Sequence, residues 1–485
     1  MSLVKRFFKD SALYALQPLV AKVVLFALIP VYTKYLSAAD FGNLEYMLTV
    51  GAFFGTFIDL GLSSSFWNFK SGPQKQPEGL VVLNMLLSSL GIGLAILMLY
   101  ILLWQGTGNA PALGGVIALL LLSEVFKKAY DMAMLLYTAA HKPWRFLIGG
   151  LVYAALLVTG NLFFVMYMGL KVEGVIWAYL GSGLLSALLW APLLWQRSEG
   201  RFDFGLSKKM ISYGFPIMLG NLVLVLMTLS SRFFLKEFTT DTALGQFAYV
   251  NKWGTLAQVL LANAFYIAWN PIRWEIYEME EGPQLFQRFS QLFLTLFPAL
   301  ALLLTGGLFV FVPLVTYDSE YIAALNLLPF VVMSFVFFAI YYFNSMGLLF
   351  TQKTRVITYI MLVVGLANVL LNFWLISAYG TAGAAWGMFG SYLLLMLLGG
   401  WYSQKYYPIP RNKQGAGLQL LLLTLVAPFL YISLKGLSNY WWQAALCFGF
   451  AMCWILLAVL LKQLRRSDLA FVRAKLQRPT AATAK

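Results

Sequence analysis

Charge is the scarcest property of this 485-residue chain: Asp, Glu, Lys and Arg make up only 11% of it, against about 25% in a soluble domain. A soluble globular fold is thereby excluded. Cysteine and histidine are rarer still. Cys447 and Cys453 share one late apolar segment, with no spacing suited to a disulfide framework or a thiolate metal site. They read as packing or lipid-facing residues. His141, the single histidine, falls in a Lys/Pro-containing turn and reads as a loop residue rather than a catalyst. Long polar stretches are missing too, so no soluble domain is inserted. Nothing resembles the repeated short filter motif of a channel.

What the chain has is apolar length. Hydrophobic residues make up 61% of it, and its mean hydropathy is +0.76. A helix needs about 20 apolar residues to cross a bilayer, and runs of that kind occur near 11–35, 43–68, 79–104, 112–137, 146–168, 173–195, 211–235, 244–268, 289–315, 322–347, 355–377, 380–402, 416–437 and 441–462. An outer-membrane barrel would show weaker alternating segments of about ten residues, and that pattern is not seen. The stretch after Met1–Asp10 runs past Pro30 without a small-residue cleavage site. It reads as a retained first span, not a signal peptide.

The net charge of +15 would suggest nucleic acid in a soluble protein. Here most of the basic residues fall in the N-terminus, in alternate loops and in the tail after Lys462, whereas the opposite loops hold mainly Lys34, Lys171, Lys236 and Lys435. By the positive-inside rule both termini are cytoplasmic, which requires an even number of spans and fits fourteen. The excess charge is a topology signal, and no nucleic-acid partner is expected.

The chain also matches itself. Gly174-Val-Ile-Trp177-Ala-Tyr-Leu-Gly181-Ser182 aligns with Gly383-Ala-Ala-Trp386-Gly-Met-Phe-Gly390-Ser391, Phe41-Gly42-Asn43-Leu44-Glu45-Tyr46 with Leu244-Gly245-Gln246-Phe247-Ala248-Tyr249, Pro18 with Pro216, and Lys142 with Lys353. These pairs keep chain order and map spans one to six onto seven to twelve. Six is even, so the repeat is parallel, about an axis along the membrane normal. The expected architecture is an all-α polytopic membrane protein with about 14 transmembrane helices. Two pseudo-symmetric six-helix lobes, residues 1–200 and 201–405, enclose a cleft, and residues 406–485 add helices 13 and 14 and a basic cytoplasmic tail.

Ionisable groups inside spans cost about 2.5–3.5 kcal/mol each on insertion scales and normally face a cavity or a partner. Lys22 lies near the middle of span one, Glu45 and Asp59 in span two, Arg232 in span seven and Lys252 in span eight. These are corresponding spans of the two repeats. A water-filled cationic cleft for an anionic group follows, with Lys22, Arg232 and Lys252 as substrate ligands, because phosphates favour fixed Lys and Arg charge. The bland alternatives are snorkelling of Arg232 and Lys252 and neutralisation of Asp59 by Lys22. In span four, Glu124/Lys128 and Lys127/Asp131 are i,i+4 pairs expected to neutralise each other along one helix face. The acidic connector Glu275, Glu278, Glu280, Glu281 suits a solvated interfacial helix, and no metal site is expected.

Several stretches carry a recognisable pattern: Lys9-Asp-Ser-Ala-Leu-Tyr14 leading to Pro30-Val-Tyr-Thr-Lys-Tyr-Leu36-Ser-Ala-Ala-Asp-Phe-Gly42, then Ser212-Tyr-Gly-Phe-Pro216, Ser231-Arg-Phe-Phe-Leu235 and Ala268-Trp-Asn-Pro271, and most specifically Asn368-Val-Leu-Leu-Asn372-Phe-Trp-Leu-Ile376 with Tyr379-Gly-Thr-Ala-Gly383. Together they resemble Wzx-type polysaccharide flippases of the multidrug/oligosaccharidyl-lipid/polysaccharide exporter superfamily. The resemblance covers residues 1–405. Ser231 departs from it, standing where the family usually has an acid before the arginine. The resemblance implies a flippase in a bacterial cytoplasmic (inner) membrane that moves undecaprenyl-pyrophosphate-linked oligosaccharide units for O-antigen, capsule or exopolysaccharide. It implies alternating access, proton or sodium coupling with Asp59 and Glu45 as candidate groups, and surrounding membrane lipid. A polysaccharide polymerase and a chain-length regulator are its expected partners. No cofactor and no enzymatic activity are implied. A drug/cation antiporter of the same superfamily is the alternative, with a cleft favouring cations. A membrane-embedded glycosyltransferase or polymerase would need carboxylates in an extramembrane loop, and the outward loops offer only short pieces such as Asp318-Ser-Glu320.

Overall fold

The computed structural model describes residues 22, 24, 26–71, 74–106, 112–263, 269, 273, 276–277, 279–351, 353–409, 413–435, 437 and 439–460. Every regular element among them is helical. In chain order these are α1 (Ile29–Tyr35), α2 (Ala38–Asp59), α3 (Leu62–Ser71), α4 (Glu78–Gly106), α5 (Ala112–Ala139), α6 (Pro143–Asn161), α7 (Lys171–Arg197), α8 (Phe204–Phe238), α9 (Asp241–Ala257), α10 (Gly282–Val315), α11 (Leu328–Asn344), α12 (Met346–Phe350), α13 (Thr354–Tyr379), α14 (Thr381–Tyr406), α15 (Lys413–Leu434) and α16 (Tyr440–Leu460). Short π-helical turns, Leu162–Tyr167 and Gln258–Asn263, extend α6 and α9.

Among the described residues, 11 helical segments are long and apolar enough to cross a membrane. Each expected span from 43–68 onward falls, among the described residues, on helical segments, with 43–68 divided between α2 and α3. Span 11–35 and Pro18 lie mostly or wholly outside the described residues, as does the basic tail from 461. The helix α5 is missing from the eleven because Glu124, Lys127, Lys128 and Asp131 interrupt it. Met98 and Leu103 on α4 are each 65% exposed, an apolar surface that suits lipid rather than water. The protein is an all-α polytopic membrane protein.

Two compact units divide the chain. The first comprises Met1–Ala248, Val315–Tyr321 and Ile376–Thr381, and the second comprises Tyr249–Leu314, Ile322–Leu375 and Ala382–Lys485. In the first unit α5 packs on α4 and α7, and α2 packs on α5 and α8. Local chemistry fixes the ends of α2. Asp40 N donates to Ser37 Oγ and Ser37 N to Asp40 Oδ2, at 3.1 and 3.2 Å, a reciprocal capping box. At its other end Leu60 and Gly61 take positive φ of 43° and 73°, which turns the chain into α3. Asp203 caps α8 by accepting from Gly205 N and Leu206 N. The 35 residues of α8 extend about 52 Å at 1.5 Å per residue, so it outruns about 30 Å of hydrocarbon at one or both ends.

In the second unit α11 is the buried centre: its segment has 83% of its apolar window inside the protein. Trp269 stacks tilted or edge-on against Phe286, Phe289, Phe293 and Phe343. The Asn-x-x-x-Asn stretch forms a buried polar chain, Asn372 Nδ2 donating to Asn368 Oδ1 at 3.0 Å and Asn368 Nδ2 to Ser391 Oγ at 2.9 Å.

Candidate functional site

The helix α2 carries two of the expected residues, Glu45 near its Ser37 end and Asp59 at its other end. Both have partners, and neither partner is Lys22. Glu45 meets Arg232 of α8, Nη2 to Oε2 3.4 Å, with side chains 11% and 7% exposed. Arg232 is thus buried in an ion pair and does not snorkel. Its Nε and Nη1 are buried without hydrogen-bond partners, so the guanidinium is only partly satisfied.

Close backbone packing surrounds this pair. A Cβ on Gly42 would lie 2.4 Å from Asp241 O and 2.7 Å from Gly245 N, and one on Gly245 would lie 1.8 Å from Ala38 O. Gly42 and Gly245 are the aligned glycines of the internal repeat, and here they face each other. Reciprocal contact between equivalent residues is what a two-fold relation produces. Beside them Lys236 Nζ donates to Asn43 Oδ1 (2.5 Å) and Asp241 Oδ1 (2.8 Å), and Asn43 Nδ2 donates to Asp241 Oδ2 at 3.0 Å. Asp241 stands at the rim, before the apolar part of α9. Burial alone would raise its pKa, but hydrogen bonds from Lys236 and Asn43, with the ammonium charge, hold it below the ordinary value.

A second seam pins the Asp59 end. A Cβ on Gly61 would lie 2.1 Å from Gly214 O, and Ser65 Oγ donates to Met210 O at 2.6 Å.

Between the two seams lies a cavity of about 380 Å³, with walls from α2, α3, α5 and α8. Asp59, Ser63, Glu124, Lys127, Lys128, Asp131 and Asn221 supply its polar lining. Lys128 Nζ pairs with Asp59 and donates to Ser63 Oγ at 3.0 Å, while Ser63 Oγ donates to Asp59 Oδ1 at 2.6 Å. Lys127 Nζ sits 3.5 Å from Glu124 Oε2. This corrects the expectation for span four in one part: Glu124 pairs with Lys127 rather than with Lys128, while Lys127 and Asp131 still interact electrostatically at i,i+4. One lysine turns to its own helix at i,i+3 and the other crosses to α2. Adjacent residues point about 100° apart on a 3.6-residue helix, so Lys127 and Lys128 cannot both face one stripe. That divergence is a signal that one of the two lysines leaves its own helix; which one, and for which partner, is set by the packing of α2 on α5.

Lys22 is half-buried in a stretch described only at isolated positions. Lys252, on α9 in the second unit, is half-buried and engaged with neighbours. The described contacts therefore join Glu45 to Arg232 and Asp59 to Lys128.

A family model described as "Polysaccharide biosynthesis protein" matches residues 7–276. No curated protein matches the chain. Among solved structures, one titled lipid II flippase MurJ in an inward closed conformation superposes with a TM-score of 0.64 at 16% identity, covering 96% of this chain and 100% of that chain. An inward-facing multidrug-resistance MATE family transporter of the MOP superfamily gives 0.59 at 12% identity, covering 84% and 96%. A mutant of the Vibrio cholerae MATE transporter VcmN gives 0.51 at 17%, covering 90% and 98%. At these identities the likeness is one of fold.

Proposed function

This chain belongs to the polysaccharide biosynthesis protein family, and from that premise we propose that it is a Wzx-type flippase of the bacterial cytoplasmic membrane. It moves undecaprenyl-pyrophosphate-linked oligosaccharide units outward by alternating access between lobes 1–200 and 201–405, with both termini cytoplasmic. It carries out no covalent chemistry. The observation that carries this reading is the placement of charge inside the membrane. A buried Glu45–Arg232 pair and a charged cavity beside the same helix are costly in hydrocarbon, and a passing anionic headgroup gives them a use.

On this reading Lys22, Arg232 and Lys252 contact the headgroup while the lipid tail stays in the bilayer. Arg232 does so only when it leaves Glu45, whose freed carboxylate then takes a proton or a sodium ion. Asp59 can act in the same way when Lys128 leaves it. Such an ion shifts the balance between two states only through unequal affinity for them. A polymerase and a chain-length regulator would receive the product.

The three carboxylates and two lysines of the cavity leave one acid in excess, which favours the drug/cation antiporter as the second reading. Proteoliposomes separate the two. The flippase reading expects transport of lipid-linked oligosaccharide, reduced at least tenfold by Lys22→Ala and Arg232→Ala, and no protein-dependent efflux of a cationic dye. Dye efflux without glycolipid movement establishes the antiporter instead, and unchanged glycolipid transport in both variants removes those residues from the mechanism.

A further inference from the structure

The α2–α5–α8 cavity is more than a place where charges cancel. Two ion pairs that served only to neutralise a helix would pack dry. These open onto about 380 Å³, within the range of about 300–1,000 Å³ typical of small-molecule sites. The acid excess argues against a bare anion as occupant. It suits a ligand that brings hydroxyl donors along with its phosphate, because an ionised carboxylate can only accept hydrogen bonds and an ammonium can only donate them.

We propose that this cavity binds the phosphate and first sugar of a glycosylated lipid diphosphate. Lys128 exchanges Asp59 for a phosphate oxygen. Asp59 keeps the hydrogen bond from Ser63 Oγ, which already donates to it at 2.6 Å, so its carboxylate is not stranded. Asp131, exposed toward the cavity, and Glu124 accept from ring hydroxyls, and Lys127 donates to a second phosphate or hydroxyl oxygen. Asn221 of α8 can do either, and Met218 offers an apolar wall to a sugar's C–H face. On the positive-inside orientation the Asp59 end of α2 lies toward the cytoplasm, the side on which the headgroup would be loaded. The inference rests on the flippase reading and names a binding site for it apart from Lys22, Arg232 and Lys252.

The test uses the full chain in nanodiscs and three probes. They are a short-chain polyprenyl diphosphate carrying one N-acetylhexosamine, the same lipid diphosphate without sugar, and a soluble nucleotide diphosphate-linked N-acetylhexosamine. The glycosylated lipid is expected to bind at least tenfold tighter than the bare lipid. Asp131→Asn and Glu124→Gln are each expected to erase most of that ratio without weakening bare-lipid binding. Lys127→Met is expected to weaken both lipids. Competition by the soluble probe at equal strength would make a free sugar diphosphate the source of the ligand, and weaker competition would make the lipid part of it.

An independent readout avoids dependence on folding of the charge variants. Ala52→Cys, in the same lining, should react more slowly with a charged thiol reagent when the glycosylated probe is present, and not when the bare probe is. Equal binding of the two lipids, or unchanged sugar preference in folded Asp131→Asn and Glu124→Gln, overturns this site while flippase activity stands. Failure of the wild-type protein to bind or transport any glycosylated lipid overturns the flippase reading itself.

Discussion

Removing one partner of the Glu45–Arg232 pair should be far more damaging than removing both. The charges are 3.4 Å apart and almost fully covered. Coulomb's law at an effective dielectric near 20 gives about 5 kcal/mol at that separation, and truncating one member of a buried pair typically costs about 3–5 kcal/mol because the other charge is left alone. Two buried donors of Arg232 already lack partners, which places the expected cost of Glu45→Gln or Arg232→Met toward the lower end, about 3 kcal/mol. The double variant Glu45→Leu/Arg232→Met should lose about 1 kcal/mol or less, since replacing a whole buried pair by apolar side chains is often neutral. Reversible unfolding of the purified protein in lipid nanodiscs, run as a double-mutant cycle, reads all three values. Transport should fall in every variant, including the stable double one. Single variants as stable as wild type, or additive losses in the double, would refute the reading of this pair as a buried and coupled unit.

Further outcomes follow from the same contacts. Gly245→Ala should abolish stable folding or shift the melting temperature strongly, because its Cβ would sit 1.8 Å from Ala38 O. Gly61→Ala should do likewise at the other seam, where a positive φ and a Cβ 2.1 Å from Gly214 O act together; differential scanning fluorimetry checks both. Asp241 has a depressed pKa when folded, so its contribution is present above its unfolded value of about 3.8 and lost as pH falls through the lower folded value. The stability difference between wild type and Asp241→Asn should therefore shrink in acid and be constant near neutrality. Lys128→Met should destabilise more than Lys127→Met, since Lys128 is the more buried of the two and its removal leaves Asp59 with the Ser63 hydrogen bond but no counter-charge.

Apolar run length was enough to read the helices, because crossing hydrocarbon leaves the backbone only helix or closed barrel, and runs of about 20 continuous apolar residues are not barrel strands. Gly42 and Gly245, aligned by sequence, are in close contact. Partner choice was harder. Glu45 and Arg232 were singled out for lying inside spans, yet nothing in a linear pattern says that an acid seven residues into α2 reaches an arginine near the far end of α8. Lys128 of α5 departs from its expected partner for a related reason. Helical spacing offers i,i+4 partners on paper, whereas the actual pairing of Lys128 depends on how α2 leans on α5, a matter of packing between distant segments.

Movement of a lipid-linked sugar across a bilayer can be followed in sealed proteoliposomes holding an undecaprenyl-diphosphate oligosaccharide in both leaflets. A membrane-impermeant glycosidase removes the outer-leaflet headgroups. In empty vesicles about half of the glycolipid is cleaved, the share that an equal distribution between leaflets exposes, since the charged diphosphate and its sugars do not cross hydrocarbon unaided. With the protein present cleavage should continue to near completion, and Glu45→Leu/Arg232→Met vesicles should stop at the empty-vesicle plateau. The same plateau with the folded wild-type protein would contradict the flippase reading.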